Sequence, residues 1–120
     1  MKYMCLIYDE EKNWLNLSEE QQGEVFAAHQ AVTEAAQKNG QYVGGEGLQP
    51  SATTKVVKVR DGKPLVTDGP FVELKEQIGG FYMFDCENIE QALELAAQIP
   101  EAKSGVVEVR PCMVFDMPES

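Results

Sequence analysis

The sequence predicts a single α+β domain in which two helices cover one face of an antiparallel sheet. Three observations carry this expectation. Two stretches open on helix-capping signals and then repeat apolar residues at helical spacing. Short apolar runs of strand length precede and follow each of them. An Asp-Gly pair between two alternating runs marks a tight hairpin. With 120 residues the chain fits one domain with a modest core, so 1–120 is read as one unit.

Met1–Tyr8 is apolar or aromatic on both faces, the pattern of a central strand. Asp9–Leu17 is polar apart from Trp14, Leu15 and Leu17 and reads as an ordered loop whose Trp packs on something. Ser18-Glu19-Glu20-Gln21 matches a capping box, and Val25, Phe26, His29, Val32, Thr33 and Ala36 follow at helical spacing. Asn39-Gly40 suits the end of that helix, because glycine adopts a left-handed cap without steric cost. Gln41–Leu48 begins as a strand, but Gly44, Gly45 and Gly47 imply a bend or bulge. Thr53–Arg60 and Lys63–Thr67 flank Asp61-Gly62 as the two arms of a hairpin. Asp68-Gly69-Pro70-Phe71 is a turn by composition. Phe81–Phe84 is a second strand apolar on both faces. Asn88 caps a second helix, with Ala92, Leu93, Leu95, Ala96 and Ile99 as its buried stripe and Pro100 as its stop. Val106–Phe115 is the last strand.

The order is therefore β-α-β-(hairpin)-β-α-β, a ferredoxin-like split βαβ arrangement with an extra hairpin. Two helices cover only one face of a four-stranded sheet. The central strands would then expose Tyr, Phe, Met and Leu as one patch, which soluble monomers rarely tolerate. Two copies paired face to face through the sheet bury it, so a homodimer is expected.

Composition narrows the partners. Ten basic against 20 acidic residues leave a net charge of −10. Such a surface repels phosphate backbones and anionic lipid, so neither nucleic-acid nor membrane binding is expected. The N-terminal apolar stretch is too short for a signal-peptide core and is followed by Asp9, Glu10 and Glu11, so the expected location is cytoplasmic. Cys5, Cys86 and Cys112 are widely spaced and read as structural thiols. With one histidine and no paired ligand spacing, no metal site and no cofactor are expected.

His29 is the one histidine, on the inward side of its helix with Val25, Phe26 and Val32. Histidine is the side chain whose charge ordinarily changes near neutrality. It reads either as a core residue bonded to a backbone carbonyl or as a general acid/base. Asp68 either closes its own turn or is presented rigidly towards His29 to orient the ring. Glu46, beside three glycines, reads as a pocket-lining carboxylate or a solvated strand end. Lys75 reads as surface charge or as a clamp for an anionic ligand. Tyr82, with Tyr3, Tyr8 and Phe81, reads as core or as the wall of a binding pocket.

The run Val66-Thr67-Asp68-Gly69-Pro70-Phe71, with Glu73, Lys75-Glu76-Gln77 and Gly79-Gly80-Phe81-Tyr82, resembles the DGPF-type branch of the YCII-related family. Met1-Lys2-Tyr3, Gly44–Pro50 and Glu108-Val109-Arg110-Pro111 agree with it, so the resemblance spans nearly the whole chain. It implies a dimeric α+β barrel and a histidine–aspartate pair at His29 and Asp68. Members of that branch often lie near genes for extracytoplasmic-function sigma factors, which implies a stress or regulatory setting. Val72 and Leu74 depart from the small and hydroxylated residues expected beside Glu73. Two functions are expected as alternatives. One is a cofactor-independent acid/base enzyme, isomerase- or lyase-like, acting on a small molecule. The other is a non-catalytic ligand-binding or regulatory accessory module.

Overall fold

A computed structural model describes residues 1–115. The first strand, β1 (Lys2–Asp9), leads into a short helix, α1 (Glu11–Leu15), where the sequence suggested a loop. Trp14 on α1 packs edge-on against Phe26, with ring centroids 5.2 Å apart. The long helix α2 (Glu19–Lys38) starts at the expected capping box: Ser18 Oγ accepts from the Gln21 amide, and Gln21 Oε1 accepts from the Ser18 amide. It ends at Asn39, with Gly40 at φ +69.

β2 (Tyr42–Gly47), β5 (Gln77–Asp85), β1 and β6 (Val106–Pro111) form one sheet in the order β2-β5-β1-β6, and every neighbouring pair is antiparallel. The glycine-rich β2 shows the anticipated irregularity, a register shift between Tyr42 and Gly44. β3 (Lys55–Arg60) and β4 (Lys63–Asp68) form a separate two-stranded sheet. Its turn residues, Asp61 and Gly62, both have positive φ, as a two-residue hairpin turn requires.

The core lies on one face of the four-stranded sheet. Tyr3, Cys5 and Ile7 alternate inward on β1 and Tyr82 and Phe84 on β5; Cys86, just beyond β5, is also buried. They meet Val32 and Ala36 of α2 and Ala92, Leu95 and Ala96 of α3 (Ile89–Ala97), with Ile99 just beyond. Leu93, expected in that stripe, instead faces outward and is half exposed, because it lies about a third of a turn from Ala92. α3 stops before Pro100 as expected, and a further four-residue helix, α4 (Glu101–Ser104), follows it. Among the described residues no helix is long and apolar enough to cross a membrane.

Cys5 is fully buried, and burial, reinforced by Cys86, pushes its thiol up to about 11 from an ordinary 9.0. The unfolded chain therefore releases this proton first as pH rises, so stability falls between about pH 9 and 11. The loss is at most about 1.4 kcal/mol per pH unit for one group. Thermal melting across that range should show a steeper decline for the native protein than for Cys5→Ala. Parallel curves would dismiss the thiol as the cause.

Candidate functional site

The helix α2 packs on the sheet with its C-terminal half only. Val32 and Ala36 are buried, whereas Val25 and His29 are half buried and Phe26 is exposed. The N-terminal half stands away from the sheet and leaves a cleft of about 730 Å³. α1 and α2 wall one side of it, β2 and β5 form the floor, and α4 closes the end near the start of β6. Its lining is mostly apolar, with Trp14, Phe26 and Leu48 among the larger side chains.

Glycine shapes the floor. A Cβ on Gly45 would sit 2.8 Å from both the Tyr82 ring and the Phe81 carbonyl oxygen. With no side chain there, Tyr82 lies close against β2 and its hydroxyl reaches the helix.

His29 and Tyr82 meet in the cleft, and a third residue joins them. The Tyr82 hydroxyl lies 2.7 Å from His29 Nδ1, and Glu101 Oε1 lies 2.6 Å from His29 Nε2. A carboxylate only accepts, so Nε2 carries a proton and donates it to Glu101. In the neutral ring Nδ1 is then the acceptor, and the Tyr82 hydroxyl donates to it. In the imidazolium Nδ1 donates to the Tyr82 oxygen, and the hydroxyl proton turns to the His29 carbonyl oxygen, 3.4 Å away. Both charge states of the ring thus find partners for each nitrogen. Burial first, then the charges of Glu101 and Tyr42, raises the Tyr82 pKa against an opposing hydrogen bond from Thr33, which keeps the phenol protonated.

Two supports hold Glu101 in place. Asp9, at the end of β1, accepts from Asn13 of α1 and from Ser104 Oγ of α4, tying both short helices to the sheet. Gly105 then lets the chain pass against β1, since a Cβ there would lie 2.0 Å from the Tyr8 carbonyl oxygen.

The other candidates are placed differently. Asp68 is exposed at the base of the hairpin, paired with Lys55, and lines no part of the cleft. That pairing follows from the turn: a two-residue loop at Asp61-Gly62 sets Lys55 opposite Asp68 in the β3–β4 register. Glu46 borders the cleft, but Gly45 is the β2 residue that faces Tyr82, so alternation turns the Glu46 side chain to the opposite face of the sheet. Lys75 is spent on Glu10, whose carboxyl it holds below the usual range together with Lys12. Glu101 is the residue that sequence reasoning missed. Pro100 reads as the stop of one helix, although proline followed by an acidic residue also suits the start of another.

The tautomer gives a direct check. Two-bond proton–nitrogen correlation of the single histidine should report a protonated Nε2 in the neutral ring. Glu101→Gln should erase that preference and Asp68→Asn should leave it intact. The reverse pattern would transfer the orienting role to Asp68.

Fold and site together define a small α+β protein with a histidine-centred cleft between one helix and its sheet. The chain belongs to the YCII-related family, whose domain model matches residues 1–116. An uncharacterized protein of Rhizobium meliloti (strain 1021) is 32% identical over 117 residues, covering 96% of this chain and 94% of that relative.

Proposed function

We propose that this protein is a cofactor-independent acid/base catalyst acting on a small, largely apolar, carbonyl-bearing molecule. The observation that carries the reading is the hydrogen-bonded series Tyr82–His29–Glu101 on the wall of the apolar cleft. In the proposed step a C–H bond next to the substrate carbonyl breaks, and His29 takes the proton at Nδ1 as the Tyr82 hydroxyl turns to the His29 carbonyl oxygen. The electron pair stays on the substrate as an enolate. Glu101 keeps its bond to Nε2–H and balances the imidazolium charge. Return of the proton to another carbon is an isomerisation; loss of a leaving group from the enolate is an elimination.

The same reading includes a homodimer of ferredoxin-like chains in the DGPF-type branch, working in the cytoplasm. The strand order β2-β5-β1-β6 supports the arrangement. The face of the sheet opposite the core carries Met4, Leu6, Tyr8, Phe81 and Met83, all partly exposed within one chain, which supports pairing through that face. The Asp68-Gly69-Pro70-Phe71 turn supports the branch. Free thiols at Cys5 and Cys86 suit a reducing compartment.

The test is a panel of aromatic and aliphatic ketones and keto acids incubated with the protein in D₂O and followed by proton NMR. Exchange of carbonyl-adjacent protons for deuterium, above the buffer rate and dependent on His29, is expected for at least one of them. Compounds that bind saturably and come back unexchanged would replace catalysis by the ligand-binding reading.

A further inference from the structure

Among the described residues the hairpin β3–β4 meets little of its own chain beyond Lys58, whose ammonium lies 5.5 Å from the centroid of the Phe71 ring. Neither strand packs extensively on any element except its partner. All of its residues are exposed except Val56, which is half buried. The radius of gyration, 16.5 Å, exceeds the about 14 Å expected of a compact chain of this length. A two-stranded hairpin standing alone in water is marginally stable at best, so this one requires a surface to lie on.

Its two faces differ. The register pairs Lys55 with Asp68, Val57 with Val66 and Val59 with Pro64, which puts these six side chains on one face. Val57, Val59 and Val66 are each about 60% exposed there. The other face carries Lys58, Arg60 and Lys63 around Leu65. Within 55–68 there are four basic and two acidic side chains, so the arm is net +2. That leaves −12 for the rest of a chain whose total is −10.

We propose that the hairpin is an exchanged arm that lays its valine face on the body of a second copy of this chain. Charge chooses the occupant: the arm is net +2 and the rest of each copy −12, so arm and body attract at range, while the valines, on the face away from Lys58, Arg60 and Lys63, make the apolar contact. Exchange in both directions across a two-fold axis leaves neither arm exposed. It also accounts for Asp68: the Lys55–Asp68 pair lies on the valine face and enters the contact between copies, while His29 is served within its own chain by Glu101. The inference rests on the dimer of the preceding subsection and is independent of the chemistry proposed for the cleft.

A photo-cross-linking amino acid placed at Val57, and as a control at the outward-facing Leu93, tests it in the purified full-length protein. Light scattering is recorded on the same samples. The expected result is a dimer by scattering, a covalent band at twice the chain mass after irradiation of the Val57 variant, and a single-chain band for Leu93. A second variant, Val57→Asp with Val66→Asp, should lower the dimer fraction at least tenfold at micromolar protein while circular dichroism stays unchanged. A dimer whose Val57 cross-linker yields only single chains would overturn the exchanged arm and leave sheet pairing standing. A monomer by scattering would overturn both, and the deuterium-exchange assay would still decide the cleft on its own terms.

Discussion

Gly105→Ala should cost about 3 kcal/mol of stability, at the upper end of what one added methyl group does in a packed setting. The added Cβ would stand 2.0 Å from the Tyr8 carbonyl oxygen and 3.0 Å from Asp9 Cα. Both are backbone atoms of β1 and cannot swing aside as a side-chain tip does. Relief requires β6 to part from β1 where Val106 pairs with Tyr8, or α4 to move. Either movement carries Glu101 away from His29 Nε2. Chemical denaturation should therefore show a lower midpoint, and the histidine nitrogen spectrum should lose its tautomer preference. Gly23→Ala supplies the contrast. It lies in the second turn of α2 with nothing within 4 Å of an added Cβ, so the same change should stabilise by about 0.5–1 kcal/mol through the unfolded chain. Equal effects at the two glycines would refute the steric account.

His29→Ala should abolish the proposed proton exchange while leaving a folded protein. Positioned acid/base groups contribute roughly 10²–10⁴-fold in rate, so the expected loss lies in that range. The fold should survive because His29 is half buried at the cleft and lies outside the core formed by Val32, Ala36 and the sheet. The substitution leaves the Tyr82 hydroxyl with the backbone carbonyl of residue 29 as acceptor and frees the Glu101 carboxylate. Tyr82→Phe separates the roles further. It removes the oxygen that accepts from Nδ1–H in the imidazolium but keeps the ring that stacks on Phe84, with centroids 5.4 Å apart, so exchange should fall with little change in melting temperature. Undiminished exchange in His29→Ala would remove the acid/base assignment.

Much of this architecture is written locally. A capping box needs only four residues, a two-residue turn needs Asp61-Gly62, and strands apolar on both faces announce a central position. Those signals act over a few residues and survive without knowledge of the rest of the chain. The short helices escaped for the same reason. α1 has no side-chain cap and α4 is a single turn, so neither carries enough periodicity to distinguish it from a loop. His29 was legible as a residue of interest because it is the one histidine on an inward helix face. Its environment was not legible: the helical spacing that placed Val25, Phe26 and His29 inward could not tell a packed core from a cleft.

The α+β class, the main elements and the identity of the titratable residue follow from patterns that lie within a few residues of one another. What that residue faces depends on the assembled fold. Glu101 reaches His29 from 72 positions away, held by the Asp9–Ser104 bond and the close passage of Gly105 along β1. Asp68, nearer in sequence and rigidly framed by its turn, is directed to Lys55 by the register of its own hairpin. Local backbone chemistry fixes which element a residue joins. The pairing of side chains across elements depends on how far each helix stands from the sheet, and that distance is set by packing among residues remote in the chain.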